Sequence, residues 1–324
     1  MVENMVLPWD IALEKLYPDY INSKTVSVSP LGDGHINDTF LADTGKSRYV
    51  VQRVKNTMDI ESCLYNYGLY SKACEESDWY YPVWIPNAEG KMFFTDERGY
   101  HWRMYRYIAG DILNTPLDDS MLFSCGRGLA KMHAIFGSIK EKPKAVYPHL
   151  HDLKFYYDTY LKALRGCDGL TDDRDPTLEK IIDSQIEAML NIGPDMPVVV
   201  HGDAKLANIL FKDDAVIGFL DFDTIMMGSV LEDVADCIRS CCIEDGVLNK
   251  NKADMLVQGY NSAISKEQAV DAAKLPIVFD KICFELGLRY YTDAIAKEKV
   301  FKEKYKGYRL QRAHDLLGCG NKDR

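Results

Sequence analysis

The chain has 324 residues, of which 47% are hydrophobic and 27% charged, a composition typical of a globular protein of about two domains. Its net charge of −10 argues against non-specific binding to nucleic acid or to an anionic membrane surface. The 9 cysteines show neither disulfide nor zinc spacing, and the sequence has no signal-peptide pattern and no long apolar run. We therefore expect a soluble, cytoplasmic protein with reduced thiols.

Strand patterns dominate the first part of the chain. Apolar residues with helical period predict a short helix at 8–16 and a longer one between 59 and 79. Apolar residues that alternate with polar ones, or that form short apolar runs, predict strands after Thr25 and at 48–54, 91–95 and 101–108. This part is therefore predicted to be a small sheet with one main helix.

Helical patterns dominate after Gly110. Apolar residues recur with helical period over four stretches, at residues 119–137, 152–166, 176–192 and 250–295. A short strand-rich segment at 198–223 interrupts them. The sequence therefore predicts an α+β chain with a strand-rich N-terminal part and a helix-rich C-terminal part.

The most informative segment runs from Val198 to Thr224. Three apolar residues of a predicted buried strand lead into His-Gly-Asp at 201–203, and Asn208 follows five residues after the aspartate. A turn at 212–214 reverses the chain, and the returning strand delivers Asp221 thirteen residues after Asn208. The spacing therefore places an Asp, a Lys, an Asn and a second Asp at the ends of adjacent strands.

These four side chains are the set that phosphoryl transfer requires. Its transition state spreads negative charge over phosphate oxygens, so catalysis depends mainly on positioning and electrostatic stabilisation. Asp203 is the candidate catalytic residue that orients the acceptor hydroxyl, and Lys205 is the candidate that offsets charge on the γ-phosphate. Asn208 and Asp221 supply the oxygen ligands that Mg²⁺ prefers. Asp223 contacts the metal or the substrate, or fixes the loop. The alternative interpretation of the whole segment is an Asp-rich loop that caps two strands.

The spacing resembles the catalytic loop and the metal-binding aspartate of protein kinases. With His-Gly-Asp, it is similar to the aminoglycoside phosphotransferase and choline kinase superfamily, and within it to the N-acetylhexosamine 1-kinases. Four segments carry that likeness: GDGHINDTF at 32–40, YVVQRV at 49–54, HGDAKLANIL at 201–210 and LDFDTIMMGSVLEDVADCIR at 220–239. The resemblance implies Mg²⁺ as cofactor and ATP as phosphoryl donor. It also implies a protein-kinase-like two-lobe fold, with an N-terminal lobe at 1–107 and a larger helical lobe at 108–324.

The same resemblance implies a nucleotide site in the N-terminal lobe. Gly32 and Gly34 form the turn that covers the phosphates, since glycine lets the backbone approach a ligand closely. Where protein kinases carry an ATP-binding lysine, this chain has Gln52 followed by Arg53. Strand alternation points these two side chains to opposite faces, so which one contacts the nucleotide stays open at this point. The predicted hinge strand that meets adenine contains Met104, Tyr105 and Tyr107.

The resemblance further implies the acceptor. His35 in the GDGHIN turn is similar to a sugar-contacting histidine, and Arg289 and Asp293 match an Arg/Asp pair on one helix face. With Asp203, these are the candidate substrate-binding residues. The implied reaction phosphorylates the anomeric hydroxyl of a hexose or N-acetylhexosamine and gives a sugar 1-phosphate. The implied partner is a small-molecule substrate, with no nucleic acid, membrane or protein partner. His-Gly-Asp departs from the His-Asn-Asp of the hexosamine kinases, and residues 140–195 match that group poorly.

Two other interpretations follow from the sequence. An aminoglycoside, choline or other amino-alcohol acceptor would need an acidic pocket, which the stretches 171–175 and 232–236 could supply, although acidic runs are usually solvated. A nucleotide-binding pseudokinase with a regulatory role is the interpretation that the missing lysine of the third strand would favour. For Arg289 and Asp293, the alternative to a substrate site is a surface salt bridge.

Overall fold

The computed structural model describes residues 13–21, 26–32, 37–54, 58–114, 117–166, 174–193, 197–244, 246–296 and 299–318. The chain divides into two compact units, the first made of Met1–Leu64 with Tyr81–Ala109 and the second of Tyr65–Tyr80 with Gly110–Arg324. Strands dominate the first unit and helices the second, so the α+β architecture predicted from the sequence is confirmed. The lobe boundary predicted between 107 and 108 stays a prediction.

The first unit is built on an antiparallel sheet. Its strand order is β1-β2-β3-β6-β4, with β5 also paired to β6. The bounds are β1 Ser27–Pro30, β2 Asp38–Asp43, β3 Arg48–Val54, β4 Trp84–Ile85, β5 Phe94–Thr95 and β6 His101–Arg106. The short helix α1 is Leu13–Leu16, and α2, Ile60–Glu75, begins in this unit. Val51 on β3 pairs with Met104 on β6, and both are fully buried, so the apolar run of β3 lies in the centre of the sheet.

The second unit contains the remaining helices and three two-stranded sheets. The helices are α3 Asp119–Phe136, α4 Leu153–Gly166, α5 Pro176–Leu190, α6 Val230–Cys241, α7 Lys250–Ser262, α8 Leu275–Ile295 and α9 Tyr308–Gly318. The strands are β7 Val198–Val200, β8 Ile209–Lys212, β9 Ala215–Phe219, β10 Met226–Gly228, β11 Ile243–Glu244 and β12 Val247–Leu248. They pair as β7 with β10, β8 with β9 and β11 with β12.

The sequence analysis missed two helices and one break. Neither α6 nor α9 was among the predicted helices, and the single helix predicted at 250–295 is two helices, α7 and α8. The break has a local cause, because Pro276 lies in the first turn of α8. Proline lacks the amide that a helix interior needs but fits its first turn.

The hairpin of β8 and β9 turns where the sequence predicted. Asp213 and Asp214 both have positive φ, 49° and 60°. Two consecutive residues of this kind form the turn that matches the twist of a two-residue hairpin. Asn208 lies directly before β8 and Asp221 lies just after β9. Because the two strands are paired antiparallel, the hairpin brings these residues to the same end.

Helices α3 and α7 pack backbone to backbone. A Cβ built on Gly126 would lie 1.9 Å from the carbonyl oxygen of Leu256, and one on Gly259 would lie 2.1 Å from that of Phe123. Only glycine fits at these contacts. The close approach lets His133 on α3 reach Tyr260 on α7, with 2.9 Å between Nδ1 and the hydroxyl.

Two global features bear on the expected environment of the protein. Within the described ranges, none of the helices combines the length and the apolar character needed to cross a membrane. The seven cysteines of the described part are buried thiols without a disulfide. The pair that lies one helical turn apart on α6, Cys237 and Cys241, has 4.0 Å between its sulfur atoms.

The α3–α7 contact generates a stability prediction. Gly259→Ala should lower the free energy of unfolding by about 1–3 kcal/mol, since the new methyl group would have to push the helices apart. Gly68→Ala on α2 is the matched control, because a Cβ there meets no atom within 4 Å. It should stabilise the protein by about 0.5–1 kcal/mol through helix propensity alone. Urea unfolding of both variants measures the difference, and equal effects would contradict the close packing.

Candidate active site

The His-Gly-Asp loop begins where β7 ends, and His201 fixes its geometry. The His201 ring is buried between Phe219 and Phe222, with ring centroids 5.8 and 5.1 Å away. Its Nε2–H donates to the carbonyl oxygen of Leu220 at 2.9 Å, and its Nδ1 accepts the amide N–H of Asp203 at 3.2 Å. Burial lowers the pKa of His201 and so favours this neutral form. The ring therefore joins Asp203 to the residue that precedes Asp221.

Asp233, in the first turn of α6, holds the same loop from the other side. Its carboxylate accepts the amide N–H groups of His201 at 2.8 Å and Gly202 at 2.9 Å. It also accepts Nε2–H of His133 at 2.9 Å. Burial alone would raise the pKa of Asp233, but the hydrogen bonds from His133 and from the loop lower it below its usual value. Both of its oxygens are thus used to fix the backbone next to Asp203.

Asp203 has one oxygen committed and one open. Lys205 Nζ lies 2.5 Å from Oδ2, and Asn208 Nδ2 donates to the same oxygen at 3.1 Å and to the Asp203 carbonyl at 2.8 Å. In the part of the chain that the structure describes, no hydrogen bond reaches Oδ1. Burial would raise the pKa of Asp203, but the charge and hydrogen bond of Lys205 lower it, so the carboxylate is ionised at neutral pH. An ionised oxygen without a protein donor can accept a hydrogen bond from a ligand.

The predicted metal ligands lie next to the ends of β8 and β9: Asn208 directly precedes β8, and Asp221 and Asp223 follow β9. The backbone amide of Leu220 donates to the carbonyl of Asn208 at 2.8 Å, which places Asp221 beside Asn208 along the hairpin. Asp221 adopts left-handed backbone angles, φ 63° and ψ 55°, which cost a non-glycine residue about 1–3 kcal/mol. Since Nδ2 of Asn208 is engaged by Asp203, its amide oxygen is the atom that could face a cation. Asp223 is 4% exposed.

These residues have the right chemistry for Mg²⁺. Amide and carboxylate oxygens are its preferred ligands, and Mg²⁺ in kinases takes one or two protein carboxylates and completes its shell with phosphate oxygens. Among the described residues, no group of three or more His, Cys, Asp or Glu side chains is arranged to hold a metal ion. A site built from Asn208, Asp221 and Asp223 would therefore depend on phosphate oxygens. The roles of these three residues stay predictions.

A half-buried histidine that the sequence analysis did not select also contacts the loop. His151 Nε2 lies 2.8 Å from the carbonyl oxygen of Gly202, and its Nδ1 lies 2.9 Å from Oε1 of Glu285 on α8. Both partners are acceptors, so both ring nitrogens carry a proton. Burial would lower the pKa of His151, but the charge and hydrogen bond of Glu285 raise it to about 10. The imidazolium thus anchors the residue before Asp203.

Gln52 and Arg53, the two side chains of β3 predicted to reach the phosphates, have different hydrogen-bond partners within the protein. Gln52 is buried, donates to Thr39 Oγ1 at 3.2 Å and accepts Arg103 Nε at 2.8 Å. Arg53 points to the other face, where it pairs with Asp38. Gly32 has φ +71°, which glycine adopts without strain. Gly34 and His35 lie outside the described residues.

The predicted hinge residues lie in or next to β6. Met104 and Tyr105 are paired with β3 on one side and β4 on the other, and Met104 is fully buried. Tyr107 follows the strand, and its amide donates to the carbonyl of Arg48 at 3.1 Å, while the Arg48 guanidinium lies 4.3 Å from its ring centroid. A contact of these residues with adenine stays a prediction.

The predicted Arg/Asp pair on α8 is engaged within the protein. Asp293 is 4% exposed, pairs with Arg309 at 2.6 Å and accepts the backbone amides of Val300 and Phe301. Arg289 lies 4.7 Å from the ring centroid of Tyr156. Their substrate contacts stay predictions.

The order of these groups along the chain matches a known family. Residues 27–266 match the model of the phosphotransferase enzyme family. The chain belongs to this family. The superfamily predicted from the His-Gly-Asp, Asn and Asp spacing is thereby confirmed, whereas the likeness to hexosamine kinases within it stays a prediction.

Two homoserine kinases show distant similarity to this chain. Homoserine kinase of Methylobacterium radiotolerans is 26% identical over 168 residues, which are 51% of this chain and 48% of that protein. The chain thus spans about half the length of this relative. Homoserine kinase of Phenylobacterium zucineum is 24% identical over 274 residues, 83% of this chain and 80% of that protein.

Solved structures show the same fold. An ADP-bound aminoglycoside phosphotransferase superposes with a TM-score of 0.61 at 16% identity over 95% of each chain. A microcompartment-associated aminopropanol kinase gives 0.64 at 17% identity over 96% of this chain and 94% of its own. At these identities the likeness establishes the fold, and the kinase-like fold implied by the sequence is confirmed.

The His151–Glu285 pair generates a pH prediction. A folded pKa of about 10 lies above the ordinary 6.5, so the stabilisation from His151 is complete below pH 6.5 and is lost as pH rises towards 10. Glu285→Gln removes the charge that raises this pKa, so the loss should still start near pH 6.5 but should be complete at lower pH, and the slope between pH 8 and 10 should flatten. Urea unfolding of the wild type and of Glu285→Gln at pH 6, 8 and 10 measures how the free energy of unfolding depends on pH.

A matched control separates this effect from a general loss of charge. Glu187→Gln removes an exposed carboxylate from α5 and should keep the wild-type pH dependence. If Glu285→Gln also keeps the wild-type slope between pH 8 and 10, His151 is not the titrating group.

Proposed function

We propose that this chain is an ATP-dependent phosphotransferase that transfers the γ-phosphate to an alcohol group of a small molecule. The observation that carries the proposal is the state of Asp203, ionised and with Oδ1 open, on a loop that Asp233 fixes by two amides. A group that must orient a hydroxyl needs an oxygen without a protein partner and a rigid support. Membership of the phosphotransferase enzyme family supports the same reaction.

Each side chain of the loop has a proposed task. Asp203 Oδ1 accepts the hydrogen bond of the acceptor hydroxyl. It takes the hydroxyl proton as the new O–P bond to the γ-phosphorus forms and the bond from that phosphorus to the leaving ADP breaks. Lys205, now paired with Oδ2, lies where its charge can also offset the charge of the transferred phosphoryl group. Asn208 and Asp221 would hold Mg²⁺, with Asp223 beside them, and the bound ion would offset the negative charge of the phosphate groups.

In the first unit, either Gln52 or Arg53 could contact the nucleotide, and their surroundings favour Gln52. Arg53 is committed to Asp38 on the neighbouring strand, whereas Gln52 lies on the opposite face next to the buried cation Arg103. We therefore assign the nucleotide-facing role to Gln52, supported by Arg103. Gly32 and Gly34 would cover the phosphates, and Met104, Tyr105 and Tyr107 belong to the proposed adenine hinge.

For the acceptor, we propose a neutral sugar, phosphorylated at its anomeric hydroxyl. The support is the charge balance of a cavity beside Gly202, in which each of three carboxylates has at least one oxygen hydrogen-bonded or ion-paired. Asp233 accepts loop amides and His133, Glu232 lies 2.9 Å from Lys281, and Asp236 lies 2.8 Å from Arg239. A compensated cavity suits a neutral hydroxyl, because a cationic ligand would have to compete with resident cations. His35, Arg289 and Asp293 remain proposed sugar contacts.

An amino-alcohol acceptor is the second candidate. Homoserine kinases are among the relatives, and an aminopropanol kinase is among the structures with the same fold. Of the two acidic stretches, 232–236 lines the cavity beside the loop, while 171–173 lies outside the described residues. The pseudokinase alternative is not favoured, since the proposed catalytic set is complete.

The catalytic assignment is tested with Asp203→Asn. Loss of the proton acceptor should lower kcat by about 10²- to 10⁴-fold and leave the KM for ATP nearly unchanged. The measurement is coupled ADP release with Mg-ATP over a panel of hexoses, N-acetylhexosamines, amino alcohols and aminoglycosides. Asp254→Asn, on the exposed side of α7, is the control and should behave as wild type.

Three outcomes of the panel are informative. Turnover on a neutral sugar with phosphate on the anomeric carbon supports the sugar acceptor, and turnover confined to cationic acceptors moves the protein to the amino-alcohol candidate. Near wild-type turnover of Asp203→Asn would show that Asp203 is not the catalytic residue.

A further inference from the structure

We propose that Asp236 is a specificity residue, whose unpaired oxygen receives the hydrogen of a second hydroxyl of the acceptor. The inference rests on the proposed phosphotransferase function and adds to it a recognition contact on α6. It also narrows the acceptor class to polyols, that is, molecules with another hydroxyl besides the one that is phosphorylated.

The carboxylate of Asp236 is only half used. Oδ1 accepts Nε–H of Arg239 at 2.8 Å. Oδ2 is buried and has no hydrogen-bond partner within the described residues. Asp236 as a whole is only 9% exposed. A buried carboxylate oxygen without a donor is costly, so such an atom calls for a donor from outside the chain.

Asp236 lines a small cavity against the catalytic loop. Its walls include His151, Gly202, Met226 and Glu232. The cavity volume available to the centre of a water molecule is about 10 Å³. Space of this size takes a single hydroxyl or a water molecule. Gly202 directly precedes Asp203, so a group in this cavity lies next to the residue proposed to orient the reacting hydroxyl.

The charges around Asp236 couple it to the reaction centre. Arg239, its ion-pair partner, also interacts with the charge of Asp203, and Asp236 interacts with that of Lys205. Since Arg239 already balances Asp236, the open oxygen has hydrogen-bonding capacity without an uncompensated charge. This combination favours the O–H of a polyol over an ammonium group.

The test compares an acceptor with its deoxy analogues. The acceptor is the neutral sugar that gives the highest turnover, and each analogue lacks one hydroxyl. In the wild type, one deoxy position should lower kcat/KM by about 10-fold or more, since a buried acceptor oxygen is then left unpaired. In Asp236→Asn the penalty for that same position should shrink to within about threefold, roughly the scale of a weak hydrogen bond. The KM for ATP should not change.

Two further variants keep the result interpretable. Asp254→Asn, exposed on α7, should keep the full wild-type pattern of penalties. Asp236→Glu retains the charge opposite Arg239 but fills the cavity, so it should raise the acceptor KM while the melting temperature stays near that of wild type. It replaces Asp236→Asn if the latter does not fold.

The outcomes separate this inference from the function on which it rests. If the wild type turns over no neutral sugar, the sugar proposal fails and this inference fails with it. If the wild type is active but Asp236→Asn keeps every deoxy penalty, only the Asp236 assignment is wrong, and Oδ2 binds a water. Loss of melting temperature or a change in the KM for ATP, with the penalties intact, would likewise make Asp236 a structural residue.

Discussion

The candidate active site depends on the hydrogen bonds accepted by the buried carboxylate of Asp233. It accepts hydrogen bonds from the amides of His201 and Gly202 and from the ring of His133, which are 32, 31 and 100 residues away in sequence. Removing one partner of a buried charge costs about 3–5 kcal/mol, because the other is left without compensation. The position of Asp203 is therefore tied to the packing of α6 against the rest of the second unit. The glycine contacts between α3 and α7 serve the same end, since they bring Tyr260 to the far side of His133.

The catalytic loop is fixed on both its amides and its carbonyl. Asp233 takes two N–H groups, while the doubly protonated His151 donates to the carbonyl of Gly202. His201 is kept neutral by burial and links the loop to Leu220. An anion, a cation and a neutral ring thus act on a few consecutive residues. Charge stabilisation at a phosphoryl-transfer site needs such a support, because groups that are already oriented need not reorganise when charge develops.

The site residues that lie close together in sequence could be predicted from it. The partners that join the site from distant parts of the chain could not. Asp203, Lys205, Asn208 and Asp221 could be predicted because they lie near the ends of short apolar strands, and the β8–β9 hairpin has the predicted turn. His151 and Glu285 are 134 residues apart, and nothing in their neighbours signals the pairing. Asp233 was seen only as part of an acidic stretch, since a helix-start aspartate has the same appearance whether it is solvated or buried. The missed α6 shows the same limit.

Two aspartates of the second unit, both proposed to contact the acceptor, share one arrangement: one carboxylate oxygen is paired with a cation and the other has no partner among the described residues. In Asp203, Oδ2 is taken by Lys205 and Asn208, which leaves Oδ1 open, and in Asp236, Oδ1 is taken by Arg239, which leaves Oδ2 open. In each case the committed oxygen pairs with a cation. The open oxygen is then a strong acceptor with a fixed direction. Two acceptors of this kind near Gly202 would distinguish a molecule with two suitably spaced hydroxyls from a simple alcohol, without any net attraction for cations.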